Sequence, residues 1–252
     1  MKTYSYVNLQ GIANMDKMGL LEELLEKLNI GINEEQKKMF EKYYSLLLEK
    51  NKVMNLTRIT KEDEIITKHF VDSLLIATQM DMNKVGNMID IGTGAGFPGL
   101  PIKIMYPKIK VTLLDSLDKR VKFLNEVIEE LGLEDVKAIH GRAEDFGQEG
   151  NYREKYDLCV SRAVANLSTL SEYCIPFVKV GGEFVSYKAT GAEAEIDSSR
   201  DAVELLGAEI KKISKQQLPG GEIERTFVIV RKNKKTDSKY PRRAGKPSKN
   251  PL

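Results

Sequence analysis

The clearest chemical signal in the sequence is a run of glycines between a short apolar stretch and a proline-containing segment. The glycines are Gly92, Gly94, Gly96 and Gly99. Because glycine has no Cβ atom, four of them in a turn let a ligand approach the backbone closely. Pro98 and Pro101 suit a first helical turn, where a missing N–H is tolerated. A strand, a tight turn and a helix start predict a cradle for the polar or anionic part of a nucleotide-like ligand.

These glycines belong to an alternation of strands and helices that begins near residue 84. Strands are expected at residues 87–91, 110–115, 136–140, 156–161, 183–188, 209–217 and 225–231. Helices are expected at residues 98–106, 168–178 and 192–206, and around the apolar face of Val121, Leu124, Val127 and Leu131. The alternation predicts an α/β fold with a doubly wound, mostly parallel sheet and helices on both faces.

Apolar spacing predicts helices before the sheet, at residues 20–30, 33–50 and 61–80. Asn33 and Gln36 have the spacing of a capping box. His69 and Asp72 lie about one turn apart in the last of these helices. On such a half-apolar helix we expect His69 to hold a local hydrogen-bond network rather than act as a base. The chain is divided into a polar, loosely ordered extension (1–19), a helical subdomain (20–83), a main domain (84–232) and a basic tail (233–252).

Length and composition restrict the class of protein. With 252 residues, of which 41% are hydrophobic and 30% charged, the chain can bury one α/β core and a smaller appendage. No apolar run approaches the roughly 18 to 20 residues that cross a bilayer, and no secretory signal is recognised, so a cytoplasmic protein is expected. Cys159 and Cys174 are expected to be reduced core thiols. Without a Cys-x-x-Cys pair or a histidine cluster, no metal site is predicted.

The net charge of +2 is unevenly distributed. From residue 231 to the end, nine basic residues and one acid give +8, so the rest of the chain carries −6. A basic tail on an acidic body indicates a local contact with a polyanion. A solvated, disordered tail is the alternative interpretation.

Ligands of doubly wound sheets bind beyond the carboxyl ends of the strands. In this chain the rule selects residues 92–97, Asp115, Ala143, Glu144 and Arg162 as one rim. Asp115 follows the first glycine by 23 residues, near the roughly 20-residue spacing of an acid that binds ribose hydroxyls. Its alternative role is the N-cap of the next helix. Ala143 and Glu144 are candidates for an adenine contact, although Glu144 is also explained as a solvated loop acid.

Two kinds of nucleotide ligand fit the glycine spacing. Gly94-x-Gly96-x-x-Gly99 matches the dinucleotide fingerprint, whereas Asp90-x-Gly92-x-Gly94-x-Gly96 looks like the loop of class I S-adenosylmethionine-dependent methyltransferases. No Tyr-x-x-x-Lys motif or partnered histidine indicates hydride transfer, and the two late strands favour a seven-stranded methyltransferase sheet. An NAD(P)-dependent oxidoreductase and a non-catalytic RNA-binding protein remain the alternatives.

Seven motifs, in order along the chain, resemble those of the bacterial RsmG/GidB family. They are Asn55-Leu56-Thr57, His69-Phe70-x-Asp72-Ser73, residues 90–103, Leu114-Asp115-Ser116 with Lys119-Arg120, Arg142-Ala143-Glu144, Ser161-Arg162-Ala163-Val164-Ala165 and Tyr240-Pro241-Arg242-Arg243-Ala244-Gly245-x-Pro247. That family methylates N7 of a guanine in 16S ribosomal RNA. The resemblance therefore implies this activity, S-adenosylmethionine as cofactor, and 16S ribosomal RNA or the 30S subunit as partner. It implies no protein partner, and a monomer is expected.

The resemblance also implies site residues. Those expected to bind the cofactor are Asp90, Gly92, Thr93, Gly94, Gly96, Phe97, Asp115, Ala143, Glu144 and Arg162. Those expected to contact RNA are Arg58, Arg120, Lys188, Arg242, Arg243, Lys246 and Lys249. Arg162 and His69 are candidates for positioning the reactants.

The implied chemistry needs no general base, because N7 of guanine carries a lone pair and no proton. Catalysis then consists mostly of holding donor and acceptor about 3 to 3.5 Å apart. A cytosine-C5 enzyme would need a thiolate in a rim loop, and an amino-group enzyme would carry an Asn/Asp-Pro-Pro-aromatic turn after the fourth strand. Here Ser161-Arg162-Ala163-Val164 stands in that turn, and neither cysteine lies in such a loop. No residue is expected to act as a catalytic acid or base.

Overall fold

A seven-stranded sheet organises the chain, of which the computed structural model describes residues 17–162 and 165–252. Its strands are β1 (Asn87–Ile91), β2 (Lys110–Asp115), β3 (Val136–His140), β4 (Tyr156–Arg162), β5 (Val178–Ala189), β6 (Ala208–Gln217) and β7 (Glu224–Lys232). The spatial order is β3-β2-β1-β4-β5-β7-β6. The first five strands run parallel, and β7 pairs antiparallel with β5 and β6. The predicted α/β fold with a seven-stranded, mostly parallel sheet is thereby confirmed.

Helices cover both faces of the sheet. The α-helices are α1 (Lys17–Glu26), α2 (Glu34–Met54), α3 (Glu62–Ile65), α4 (Asp72–Leu74), α5 (Gly99–Met105), α6 (Asp118–Glu130), α7 (Ala143–Phe146), α8 (Leu167–Cys174), α9 (Glu193–Ser198), α10 (Arg200–Leu205) and α11 (Lys246–Lys249). A π-helix spans Ile66–Val71, and 3₁₀ turns span Leu75–Thr78, Met82–Lys84 and Ile175–Phe177. Within the described ranges, no helix has the length and apolar character needed to span a membrane.

The boundaries of α2 follow from its sequence. The predicted capping box is present, since the Asn33 side chain accepts from the Gln36 N–H at 2.9 Å and the Gln36 side chain accepts from the Asn33 N–H at 3.0 Å. The helix ends at Asn55, whose φ of 49° places it in the left-handed region that asparagine tolerates.

The prediction of one regular helix over residues 61–80 is wrong. The segment is α3, then the π-helix, then α4 and a 3₁₀ turn. Ser73 Oγ donates to the backbone carbonyl of His69, and the extra residue of the π-helix alters which side chains share a face. Apolar spacing does not encode this change of helical period.

Three further predicted boundaries are corrected. The expected helix 192–206 is two short helices that meet at Ser199. Helix 168–178 ends at Cys174, and β5 starts at Val178 rather than residue 183. The predicted Gly181-Gly182 turn therefore lies inside β5, where the pairing with β4 shifts register. A Cβ at Gly182 would lie 2.8 Å from the Asp157 carbonyl oxygen, so the two strands approach too closely there for a side chain.

Two parts of the predictions lie outside the described residues. They are residues 1–16 of the polar extension and Ala163-Val164 of the motif after β4. The first described helix begins at Lys17, three residues earlier than residue 20. The division at residues 83 and 232 stays a prediction about chain organisation.

The sheet separates two apolar cores. Alternate residues of β4 face opposite sides, with Leu158 and Val160 in one core and Cys159 in the other. The first core also contains buried side chains from α1, α2 and the π-helix, so the N-terminal helices share one continuous core with the sheet. Cys159 and Cys174 are free, buried thiols of the second core, as predicted.

The basic tail packs against the body, so a solvated tail is not what the structure shows. Arg242 forms a bidentate ion pair with Glu172, whose side chain is fully buried, at 2.6 Å between Nη2 and Oε2. Arg153 donates to the carbonyl oxygens of Thr236 and Tyr240, each at 2.7 Å. These contacts hold residues 236–242 by backbone and side chain together, which composition alone does not predict.

Candidate functional site

Strand parity brings the predicted rim residues onto one face. Asp90, Asp115 and Arg162 share the side of β1, β2 and β4 that packs against the N-terminal helices. All three stand at or next to the carboxyl ends of these strands. The sheet reverses direction of winding between β1 and β4, and ligands bind at such a switch point.

The loop after β1 uses its own N–H groups internally. Gly92 N donates to the Leu114 carbonyl at 2.8 Å, and Gly96 N and Phe97 N both donate to the Thr93 carbonyl at 2.9 Å. Backbone groups engaged in this way cannot cradle a pyrophosphate, which disfavours the dinucleotide interpretation. The loop instead presents a compact surface.

The glycine loop has room for a ligand on one side only. A Cβ at Gly94, where φ is +64°, would meet no atom within 4 Å. At Gly96 a Cβ would lie 2.5 Å from a Leu100 methyl group, and at Gly99 it would lie 2.3 Å from a Leu113 methyl group. Gly96 and Gly99 therefore serve packing, whereas the open side at Gly94 fits the approach of a cofactor.

The side chain of Asp90 holds the two ends of the glycine loop together. Its fully buried side chain accepts from Thr93 Oγ1 at 2.7 Å and from Gly99 N at 2.8 Å through the same oxygen, Oδ2. Burial raises the pKa of Asp90 to about 7 despite these two hydrogen bonds. The other oxygen, Oδ1, is buried without a hydrogen-bond partner among the described residues. An additional polar group, such as one of a bound cofactor, would satisfy it.

Asp115 joins β2 to the glycine loop. Its Oδ2 accepts from Gly94 N at 2.8 Å and from Arg120 Nη1 at 3.3 Å, and its Oδ1 accepts from Leu117 N at 2.9 Å. The alternative N-cap role for Asp115 is wrong, since Leu117 is the N-cap residue of α6. A carboxylate accepts about four hydrogen bonds, so capacity for a ribose hydroxyl remains.

Ala143 and Glu144 open α7, close to Asp115, because Gly141 N donates to the Asp115 carbonyl at 3.0 Å. Glu144 is buried, and its Oε1 accepts from Gly245 N of the tail at 2.8 Å. The interpretation of Glu144 as a solvated loop acid is therefore wrong. The tail is connected directly to a residue that is predicted to bind the cofactor.

The π-helix presents His69 to the glycine loop. The rings of His69 and Phe97 stack with centroids 4.5 Å apart and an interplanar angle of 9°. His69 Nε2 lies 2.8 Å from Thr57 Oγ1, and Tyr43 of α2 stacks on Phe97 and donates its hydroxyl to the Ala95 carbonyl. π-helical turns occur frequently at functional sites, and this one inserts an aromatic layer behind the loop.

His69 is neutral in this environment. Burial, reinforced by the positive charge of Arg162, lowers its pKa to about 3. An Nη2 group of Arg162 faces His69 Nδ1 at 3.4 Å, which makes Nδ1 an acceptor and leaves the ring proton on Nε2, toward Thr57. The prediction of a network histidine rather than a base agrees with this arrangement.

Arg162 is held by a residue that the site predictions missed. Asp72, fully buried, accepts from Arg162 Nη1 at 2.6 Å through Oδ2 and from Arg225 Nε at 2.6 Å through Oδ1. The Arg162 guanidinium also lies 5.3 Å from the Phe97 ring centroid. The sequence does hold a signal for Asp72, since an aspartate within an apolar helical segment is expected to be buried and a buried charge needs a partner. Arg225 carried no signal of its own.

The predicted RNA-contacting residues divide into two groups. Arg58, Arg243, Lys246 and Lys249 are exposed, and Arg120 is about one-third exposed beside Asp115. Arg242 and Lys188 are engaged within the protein instead. Lys188 donates to Glu195 at 2.6 Å and to the Ala165 carbonyl at 2.7 Å. These two cations stabilise the fold around the tail and the segment after β4.

Two depressions of the surface do not include the glycine loop. One of about 380 Å³ is found at the amino ends of β1 to β4, lined by Lys110, Lys137 and Lys155 among others. Another of about 410 Å³ lies between α7 and the tail. Concavity alone therefore does not locate the site, and the polar groups at the carboxyl edge do.

Comparison with known proteins decides the family. A family model described as rRNA small subunit methyltransferase G matches residues 36–225. The chain is 48% identical over 238 residues to ribosomal RNA small subunit methyltransferase G of Alkaliphilus metalliredigens, covering 94% of this chain and 100% of that protein. It is 50% identical over 232 residues to the protein of that name from Desulforamulus reducens, covering 92% and 97%. The chain belongs to the rRNA small subunit methyltransferase G family.

Solved structures share the fold at low identity. The YcgJ protein from Bacillus subtilis superposes with a TM-score of 0.51 at 12% identity, covering 66% of this chain and 100% of that one. TYW2 of P. horikoshii superposes with a TM-score of 0.52 at 17% identity, covering 65% and 62%. These likenesses concern the fold alone, whereas membership of the rRNA small subunit methyltransferase G family rests on sequence.

The elevated pKa of Asp90 makes a prediction about stability. Between the ordinary carboxyl pKa near 3.8 and the folded-state value of about 7, the native state holds a proton that the unfolded state releases, so stability falls as pH rises. In Asp90→Asn this pH-dependent loss of stability is absent, because asparagine does not ionise. Urea unfolding of the ligand-free protein should show the variant gaining about 1 kcal/mol or more relative to wild type between pH 5 and pH 7.5.

The control for this experiment is Asp118→Asn, because Asp118 is exposed and pairs with Lys122 at the surface. Its difference from wild type should change little over the same range. His69 is present in all the proteins compared, so its contribution to the pH dependence of stability cancels from the differences between variant and wild type. A constant difference between Asp90→Asn and wild type at both pH values would mean that Asp90 is ionised throughout.

Proposed function

We propose that this protein transfers a methyl group from S-adenosylmethionine to N7 of a guanine in 16S ribosomal RNA, presented as naked RNA or in the 30S subunit. The observation that carries the proposal is the convergence of the glycine loop, Asp115 and Arg162 at one rim, in a member of the rRNA small subunit methyltransferase G family. Because its substrate would be ribosomal RNA, we expect the protein to act in the cytoplasm, as a monomer.

The residues of the rim suit this cofactor. When bound, S-adenosylmethionine supplies a methyl group on a positively charged sulfur, open to direct attack by a lone pair. The open side of the loop at Gly94 would receive the methionine part, Asp115 would accept from the ribose, and Ala143 with Glu144 would border the adenine. Arg162 would bind the carboxylate, since a guanidinium matches a carboxylate in charge and geometry.

Positioning, rather than proton transfer, is the task of these residues. With its pKa near 3, His69 is a poor proton acceptor at neutral pH, and its Nε2 is occupied by Thr57. Guanine N7 needs no deprotonation before it attacks. His69 and Phe97 would therefore shape the wall of the site and hold donor and acceptor in line.

The exposed cations supply the surface for RNA. Arg58 lies beyond α2, and Arg243, Lys246 and Lys249 lie on the tail. In an intact RNA duplex the N7 atom lies in a deep, narrow groove, so the target guanine should be in a loop or a distorted helix. Phosphate contacts from these side chains would orient such a segment without reading its sequence.

Transfer of labelled methyl groups from S-adenosylmethionine tests the proposal. We expect incorporation into naked 16S RNA or 30S particles, with the label mapped to N7 of one guanine. RNA binding without transfer would favour the non-catalytic RNA-binding alternative. Binding of nicotinamide cofactor without S-adenosylmethionine in calorimetry would favour the oxidoreductase.

The tail gives a second prediction. Removing it would expose the buried Glu172, so reversal of surface charges is the cleaner change. In the triple variant Arg243→Glu, Lys246→Glu, Lys249→Glu, RNA affinity should fall and the salt dependence of log K should lose a slope of about 2 to 3, as expected for three phosphate contacts. Affinity for S-adenosylhomocysteine should stay within about twofold of wild type, because within the described part of the chain none of these three side chains forms a hydrogen bond or ion pair with a rim residue.

The matched control reverses Lys84, Lys108 and Lys110, which are exposed at the amino ends of β1 and β2. It makes the same change in net charge at the opposite edge of the sheet. If both triple variants lose RNA affinity equally, the tail contributes only net charge and the proposed contact is wrong.

A further inference from the structure

Asp72 is shared by two arginines from different strands. Arg162 stands at the end of β4 and Arg225 at the start of β7, and each places a nitrogen 2.6 Å from a different oxygen of the carboxylate. Asp72 is fully buried, while the Arg162 and Arg225 side chains are 11% and 22% exposed. Arg225 lies on the same face of β7 as Phe227 and Ile229, whose side chains belong to the core shared with the N-terminal helices.

The charges of this cluster do not cancel. One carboxylate and two guanidinium groups carry a net charge of +1, and the adjacent His69 is neutral. With Asp72 as its only charged partner, Arg162 would belong to a neutral pair. Arg225 binds the other oxygen of the same carboxylate, so the negative charge of Asp72 is shared between two arginines. A net positive charge therefore remains at Arg162, at the rim.

Arg162 also retains unused donors. Its Nη1 donates to Asp72 and to the Lys68 carbonyl at 3.2 Å, and one Nη2 hydrogen faces His69. Within residues 17–162 and 165–252, its Nε–H and the second Nη2 hydrogen have no hydrogen-bond acceptor. A guanidinium with two free N–H groups and net positive surroundings is suited to an anionic ligand group.

We propose that Arg225 is a positioning residue that, by sharing Asp72 with Arg162, leaves a net positive charge at Arg162 toward the carboxylate of the cofactor. The inference rests on the proposed function, because S-adenosylmethionine carries its only carboxylate on the methionine part. It assigns a role to Asp72 and Arg225 in cofactor affinity, in addition to holding β7 and the helical layer together.

Two ligands separate this role from a purely structural one. S-adenosylhomocysteine carries the carboxylate, whereas 5′-methylthioadenosine has the same nucleoside and sulfur without the amino-acid carboxylate. In Arg225→Met, calorimetry should show affinity for S-adenosylhomocysteine reduced about tenfold and affinity for 5′-methylthioadenosine reduced less than about twofold. Equal losses for the two ligands would overturn the inference, since a distorted site would weaken both.

A second substitution tests the charge directly. In Arg225→Met with Asp72→Asn, the cluster regains a net charge of +1, so affinity for S-adenosylhomocysteine should return to within about threefold of wild type. The variant Arg225→Lys keeps the charge and should bind nearly as well as wild type. Continued loss in both of these variants, with thermal unfolding showing folded protein, would contradict the electrostatic role.

The outcomes also separate this inference from the proposed function. If wild type fails to bind S-adenosylhomocysteine, the proposed function is wrong and the inference fails with it. If wild type binds and Arg225→Met binds equally well, only the inference is wrong.

Discussion

The burial of one carboxylate, that of Asp72, determines how the two layers of the protein meet. A charged group removed from water is tolerated only when it is paired and hydrogen-bonded, and Asp72 meets this condition with Arg162 and Arg225. The three side chains come from the helical layer, the end of β4 and the start of β7. Their pairing requires the helical segment to stand at the carboxyl edge of the sheet, directly beside the glycine loop.

The unusual helical segment follows from this constraint. Asp72 must reach the arginines while His69, three residues earlier, stacks on Phe97. The π-helical turn between Ile66 and Val71 accommodates both contacts. The layer that apolar spacing describes as a simple helix is thus the wall of the site. His69 is neutral mainly because it is buried there, and the positive charge of the adjacent Arg162 adds to the effect.

Local sequence predicts the sheet better than it predicts the partners of the site residues. The bounds of β1, β2 and β3 agree with the sequence because short apolar runs between turn-forming residues have few alternatives. Parity along those strands places Asp90 and Asp115 on one face. The role of Arg225 could not be predicted from local sequence. It depends on β7 lying antiparallel next to β5, which brings Arg225 to Asp72, a residue 153 positions earlier in the chain.

The tail shows the same limit. Composition indicates nine cations from residue 231 onward and a polyanion contact, but the structure uses Arg242 to neutralise the buried Glu172 and attaches Gly245 to Glu144. Charge counts do not distinguish cations that face solvent from those that satisfy an internal acid. The tail therefore combines structural support near the rim with a separate set of exposed cations.

The Asp72–Arg162 pair couples the helical layer to the rim. A double-mutant cycle in urea, comparing Asp72→Asn, Arg162→Gln and the double variant, measures this coupling in the free energy of unfolding. We expect the double variant to lose less stability than the two single losses together, by about 1 to 3 kcal/mol. Additive losses, with a coupling energy near zero, would contradict it.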